Sequence, residues 1–481
     1  MEKLFKLKQN GTTVRTEVLA GLTTFMTMAY IIALNPNLIV GFGANAEVGG
    51  ALWNGIFLAT VISAGIGTLL MAFLANKPFA MAPGMGLNSY FATVVAGIAA
   101  AMTAAGGVDY TFQDAYGAGL AIILISGILF TILTLLNIRE KIVDAIPKAV
   151  RLGIPAGIGL MLVNIGLGSN AGVQDANFNM YYMLGSFFSN GPSATKAAMG
   201  DAYGTMVLYV LTTFIGIFAI AVMHHKKVKG SVLFGMLIAA AAYWIGCFCM
   251  GQNPFASLAT ASWLPPFKDM AATTLFKFDF GDLFSIGVFS AIMTIISFCM
   301  VDMFDTIGTL YGTAQRAGML DKEGNMPNMK QAMLSDSIGT MVGACTGTST
   351  VTTFIESAAG VEAGGRTGLT SLVTGILFLL CMFISPIAAL IPAPATSSAL
   401  VFVGMLMMGS LKDVDYGDVA GVLPVVLMLV FMMVTSSVGN GIGIGLITYS
   451  VLKICTGKAK EVSWLTIVLA VLFILKFFIV F

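Results

Sequence analysis

Asp302, Asp305 and Glu356 each stand inside a long apolar run, the first two in MVDMFDTIGTLYG (300–312) and the third in GTSTVTTFIESAAG (347–360). An acid at the centre of a bilayer costs roughly 2.5–3.5 kcal/mol on insertion scales, so such a residue normally faces a protein-lined cavity and has a function. Desolvation disfavours the charged form of a carboxyl, which can then take up a proton on one side and release it on the other. An ionised carboxylate also accepts hydrogen bonds from the N–H groups of a ligand. Asp305 and Glu356 are the expected pair for these two tasks. Asp305 is followed by Thr306, Gly308 and Thr309, small residues that suit a pocket, and is enclosed by Phe304, Ile307 and Leu310. That enclosure favours Asp305 as the proton carrier and Glu356 as the ligand acceptor. Asp302, three residues earlier, shares the face only approximately and is expected to be structural, bonded to a neighbouring helix. No His, Lys or Arg stands in the apolar runs beside these acids, so a neutral ligand rich in N–H donors fits better than an anion. Phe79, Tyr90, Phe91 and Phe354 are candidates to stack on a flat ring.

The elements that must position these groups are membrane helices. Of the 481 residues, 57% are hydrophobic and only 10% charged, against about 25% charged in an ordinary soluble domain, and mean hydropathy is +0.92. A helix needs about 20 apolar residues to cross a ~30 Å hydrocarbon core. Such segments lie near 18–40, 52–75, 84–104, 116–137, 148–168, 203–223 and 230–250, and again near 284–313, 331–347, 350–363, 367–391, 396–411, 419–437, 438–455 and 462–481. The expected number of spans is fourteen, with one of the last few not a full crossing. The basic clusters MEKLFKLK, NIREKIVDAIPK (137–148), HHKKVK (224–229), 315–330 and TGKAKE (456–461) mark the cytoplasmic side, which puts both termini there. The loop 169–202, with the single basic residue Lys196, is expected outside. A net charge of +1 argues against nucleic acid as a partner. Six cysteines and the adjacent pair His224 and His225 give no metal-ligand spacing, and the N-terminal 17 residues lack the pattern of a cleaved signal peptide. The run Gly439–Gly445 (GNGIGIG) looks like a dinucleotide fingerprint but has no βαβ context, so close helix packing is expected there. No Walker motif is present, which disfavours ATP-driven pumping.

The loop 251–282 divides the chain into halves of about seven segments. An odd number per half turns the second half upside down relative to the first, the inverted-repeat plan of many secondary transporters. The third segment of each half is interrupted in the same way. The first reads FAMAPGMGLNSYF (79–91), where Pro83, Gly84 and Gly86 break the helix; the second contains the β-branched run Thr348–Thr353. Each is expected to be a short extended piece followed by a helix, and backbone of that kind is tolerated at membrane depth only where it lines a cavity. The positive N-terminal ends of the two following helices would then face one ligand.

The stretches TEVLAGLTTFMTMAYIIALNP (16–36), APGMGLNSYF (82–91), FDTIGTLYG (304–312) and TSTVTTFIESAAGVEAGGRTGLT (348–370) resemble the AzgA-like purine permeases of the nucleobase/ascorbate transporter superfamily, across nearly the whole chain. The resemblance implies an all-α polytopic membrane protein of fourteen transmembrane segments in two inverted seven-segment repeats. A core domain would comprise residues 1–145 (segments 1–4) and 281–392 (segments 8–11), and a gate domain 146–280 (segments 5–7) and 393–481 (segments 12–14), with short extended pieces in segments 3 and 10. It implies no enzyme activity but uptake of adenine, guanine or hypoxanthine with protons at the inner membrane, by a homodimer, without metal or organic cofactor. The family's acidic positions fall on Asp305 and on Glu356, the latter followed by Ser357, and Asn88 and Thr309 fall on pocket positions. Some relatives carry histidines in this site; this chain has none there, so carboxylates would have to relay the proton. A uracil or xanthine permease is the alternative within the class, and an anion transporter of the same fold the alternative outside it.

Overall fold

The computed structural model describes residues 2–41, 49–106, 108–136, 147–174, 193, 196–197, 199–259, 261–316, 319 and 326–478. Among them eleven helical segments are long and apolar enough to cross a membrane, and two shorter apolar helices, Val419–Thr435 and Trp464–Phe478, accompany them. Most of the expected loop at 169–202 and much of the basic stretches at 137–148 and 315–330 lie outside the described residues.

The first span is two helices, α1 (Val14–Met28) and α2 (Ile31–Gly41), parted at Ala29 and Tyr30. Pro36 lies within α2 and lacks the N–H that would bond Ile32, which weakens that helix further. Next comes α3 (Ala51–Leu70), then the strand β1 (Met81–Pro83), α4 (Met85–Gly106), α5 (Phe112–Leu135) and α6 (Lys148–Gly166). The second half opens with the 29-residue α7 (Val288–Arg316), followed by α8 (Met329–Thr346), β2 (Val351–Thr353), the six-residue α9 (Ser357–Glu362), α10 (Gly368–Leu380) and α11 (Ala393–Met407).

Both interrupted segments are extended where the sequence indicates, and they meet. β1 and β2 pair antiparallel with Met81 opposite Thr353, Ala82 opposite Thr352 and Pro83 opposite Val351, all buried. Two flanking bonds lengthen the ladder: Gly84 N–H donates to Thr350 O at 3.0 Å, and Phe354 N–H to Ala80 O at 3.0 Å. Antiparallel strands send the helices that follow them off in opposite directions, α4 from the Pro83–Val351 end and α9 from beyond the Met81–Thr353 end.

A two-stranded ribbon inside a membrane leaves its outer edges unpaired, and a backbone group there without a partner costs several kcal/mol. Two threonines, one in each half, satisfy those edges. The Thr68 hydroxyl of α3 accepts from Met81 N–H at 2.9 Å and donates to Met81 O at 3.1 Å. The Thr340 hydroxyl of α8 accepts from Val351 N–H at 3.2 Å and lies 3.3 Å from Val351 O. We expect Thr68→Val and Thr340→Val each to lower stability by about 1–3 kcal/mol, the penalty for stranding a buried polar group. Thermal melts of the purified variants measure this, and unchanged melting would show that the ribbon holds without its side-chain partners.

Small residues let other helices close on one another. Gly159 of α6 and Gly404 of α11 face each other so closely that a methyl on either would meet the other's carbonyl oxygen. The outer helix faces stay apolar and exposed, as at Phe218, Val434 and Trp464, which suits contact with lipid rather than water.

Candidate functional site

A cavity of about 790 Å³ opens beside the β1–β2 crossing. Its inner end is lined by Tyr30, Gly84 to Leu87, Asp305, Ile307 to Thr309 and Thr352 to Glu356. Four residues expected from the sequence therefore share one wall system: Asp305, Thr309, Phe354 and Glu356. Three others do not line it among the described residues. Phe79 is fully buried, and its carbonyl accepts from the Ser371 hydroxyl at 2.8 Å. Asn88 is also buried; it donates to Pro83 O at 3.3 Å, and its side-chain oxygen accepts from the Ser349 hydroxyl. The Ser357 hydroxyl accepts from Ala80 N–H at 2.9 Å. These three hold the crossing strands from behind. Tyr90 and Phe91 are likewise turned inward, Tyr90 stacked on Phe298 at 4.4 Å and Phe91 edge-on to Tyr116 at 5.3 Å.

Glu356 sits just before α9, at the end of the β2 piece. Its Oε1 accepts from the Tyr30 hydroxyl at 2.6 Å. The break between α1 and α2 is what brings Tyr30 into this position. The hydrogen bond fixes one carboxylate oxygen and leaves the other for a ligand. Because α9 has only six residues, its dipole is short, and the carboxylate is the main electrostatic feature at this end. We expect Tyr30→Phe to weaken substrate affinity about tenfold or more, since a hydrogen bond to a charged group is worth about 1.5–3 kcal/mol. The apparent KM of uptake and the affinity of the purified variant test this.

Asp305 projects from α7 across the start of α4, with its Oδ2 beside Gly84 and the Thr352 hydroxyl nearby. Thr352 bonds Thr306 at 2.9 Å, and Thr306 donates to Asp336 Oδ2 at 2.5 Å. Asp302, one turn back, is fully buried, and its Oδ2 accepts from the Thr340 hydroxyl at 3.0 Å. It thus ties α7 to α8, the structural place expected of it.

Sequence reading missed Asp336. It stands within the expected segment 331–347, is fully buried, and with Asp302 leaves one carboxylate oxygen without a hydrogen-bond partner among the described residues. It is flanked by Ser335 and Ser337. Glu17 was missed as well; buried, it accepts from the N–H groups of Arg366, Thr367 and Thr370 and so caps the start of α10. The absence of cations from the apolar runs also needs refining. Around Asp305 and Glu356 the wall holds none among the described residues, but Lys148, Arg151 and Lys412 line the far end of the same cavity, with Asp413. No cluster of metal-ligating side chains occurs among the described residues.

Comparison with known proteins bears on the family and the fold. A family model described as the permease family matches residues 15–444. A putative permease of Methanocaldococcus jannaschii is 39% identical over 99% of this chain and 98% of its own. An adenine permease of Escherichia coli K12 is 36% identical, covering 100% of this chain and 96% of that one. A guanine/hypoxanthine permease of Bacillus subtilis is 37% identical over 99% and 100%. Among solved structures, the transmembrane domain of the cyanobacterial bicarbonate transporter BicA superposes with a TM-score of 0.60 at 16% identity, over 90% of this chain and 97% of that one. The murine Slc26a9 anion transporter in its inward-facing state gives 0.56 at 13%, over 92% and 68%. At those identities the likeness is one of fold.

Proposed function

We propose that this chain, which belongs to the permease family, carries purine nucleobases (adenine, guanine or hypoxanthine) inward across the cell membrane with protons. The observation that carries the reading is the pair Asp305 and Glu356 on one cavity wall, brought there by α7 and by the β2–α9 break, with no cation beside them among the described residues. Purine bases offer several N–H donors on a flat ring, and a wall bearing two carboxylates flanked by Phe304 and Phe354 suits them. An anion would meet two carboxylates there, which disfavours bicarbonate-like cargo despite the shared fold.

The matching threonines at Thr68 and Thr340, each holding the first residue of its strand's ladder, support two inverted repeats of seven segments and fourteen segments in all. On that plan residues 1–145 and 281–392 form the core that bears the site, and 146–280 and 393–481 form the gate against which it moves. The cavity lies between α7 with the β ribbon on one side and α6 with Val403 to Met407 of α11 on the other. Motion of one group against the other would open it to alternate sides. The basic segments support a cytoplasmic position for both termini, and the resemblance supports a homodimer. No organic cofactor or metal enters the cycle; the proton is the coupling ion.

Uptake of radiolabelled adenine, guanine, hypoxanthine, xanthine and uracil by cells or proteoliposomes tests the reading. Purine uptake is expected to collapse when an uncoupler removes the proton gradient. Uptake indifferent to the uncoupler would remove proton coupling, and preference for uracil or xanthine would move the chain to another branch of the class.

A further inference from the structure

The cavity has a second polar end for which base transport has no use. Lys148, Arg151 and Lys412, with Asp413, line that end, while Asp305 and Glu356 line the other. Helix α6 forms the wall between them, through Ile154 and Pro155 to Ile158. Ile158 packs against Gly86 at the start of α4, so it marks the depth of the strand crossing. From Lys148 to Ile158 the wall runs about 15 Å at 1.5 Å per residue, and the reach of Lys and Arg side chains shortens the gap between the charged groups.

Two features make the basic end receptive to an anion. The Arg151 Nε is shielded from solvent and has no hydrogen-bond partner among the described residues. The N-terminus of α6 has no side-chain cap from Pro147, and its first N–H groups add a positive end beside the same residues. Three cations against one acid leave this end positive and the crossing end negative. A free base spans one end only. A ligand with N–H donors at one extremity and a phosphate at the other spans both.

We propose that the cavity binds purine nucleoside monophosphates, with the base at Asp305 and Glu356 and the phosphate at Lys148, Arg151 and Lys412. A nucleotide on the cationic side then occupies the base site and blocks passage, so the phosphorylated form of the cargo restrains its own supply. The inference rests on the purine reading and deepens it.

Equilibrium dialysis of the purified full-length protein against radiolabelled adenosine, inosine and guanosine monophosphates, with their nucleosides and free bases, tests it. At least one nucleotide is expected to bind tenfold or more tightly than its nucleoside, and to weaken as salt rises. The combined variant Lys148→Gln, Arg151→Gln, Lys412→Gln should reduce that nucleotide to the affinity of its nucleoside while leaving binding of the free base unchanged. Base binding without any nucleotide advantage overturns the inference and leaves the purine reading standing; failure of every purine base to bind overturns both. Equally strong competition by inorganic phosphate alone would show a bare phosphate site and overturn the nucleotide assignment. In nanodiscs, loss of the nucleotide advantage as phosphatidylglycerol replaces phosphatidylcholine would hand the cations to lipid headgroups and overturn it as well.

Discussion

Glu356→Gln is expected to abolish purine uptake, by at least about a hundredfold, while the protein still inserts and melts near the wild-type temperature. The carboxylate accepts the Tyr30 hydroxyl on one oxygen at 2.6 Å and faces the cavity with the other. Glutamine offers one acceptor oxygen and turns an NH₂ donor to whichever partner remains. Either the NH₂ faces the ligand N–H, which cannot accept, or it faces Tyr30, whose hydroxyl turns to accept while a neutral carbonyl replaces the charged acceptor at the ligand. Hydrogen bonds to a charged acceptor are worth about 1.5–3 kcal/mol each, so weakening both removes roughly 3–6 kcal/mol, or about a hundredfold to ten-thousandfold in affinity. Because Glu356 is not fully buried and the surrounding backbone has its own partners, the fold should tolerate an isosteric amide. Uptake measured alongside a melt of the purified variant separates the two effects. Near-normal uptake would take Glu356 out of the mechanism.

The acids at 305 and 356 could be read from the sequence because a carboxylate is expensive inside an apolar run, and that expense is a local property. The ribbon was legible for the same reason. Pro83 with Gly84 and Gly86, and the threonine run before Phe354, are local breakers of a helix, and the strands formed where those breakers stand. What stayed hidden depends on direction and on distant partners. Phe79, Asn88 and Ser357 have residue types that suit a pocket, yet the turn of the backbone through each break points them behind the wall, and no periodicity extends across such a break to reveal its phase. Tyr30 meets Glu356, and Glu17 caps the start of α10, across sequence separations of over 300 residues. Lys148 reads as the last charge of a cytoplasmic loop, and Arg151 stands just inside the apolar segment that follows. Only the position of α6 along the cavity makes them part of its lining. The likeness to purine permeases is shown by the family and its relatives, whereas the shared fold with anion transporters warns that the scaffold alone does not choose the cargo.

Asp305→Asn is expected to abolish concentrative uptake, yet to leave exchange of labelled for unlabelled base across a membrane with no gradient. Asparagine keeps the shape and one acceptor oxygen but cannot carry a proton. A proton taken up by Asp305 would have somewhere to go. Near its carboxyl the hydroxyls of Thr352 and Thr306 lead to Asp336, with 2.9 Å and 2.5 Å between successive oxygens from Thr352 onward. Either threonine can donate to the other, so the same oxygens serve an ionised Asp305 or a protonated one. A carboxyl at 305 can give up a proton and take it back, whereas an amide at this position could donate but never release what it donates. Asp302 stands outside this row of oxygens, bonded to Thr340, so Asp302→Asn is expected to slow uptake less. Counterflow in proteoliposomes beside gradient-driven uptake decides the matter. If Asp305→Asn loses exchange as fully as accumulation, Asp305 binds the base rather than the proton. If Asp302→Asn shows the split instead, the carrier is the inner aspartate, and the cavity-facing one serves the ligand.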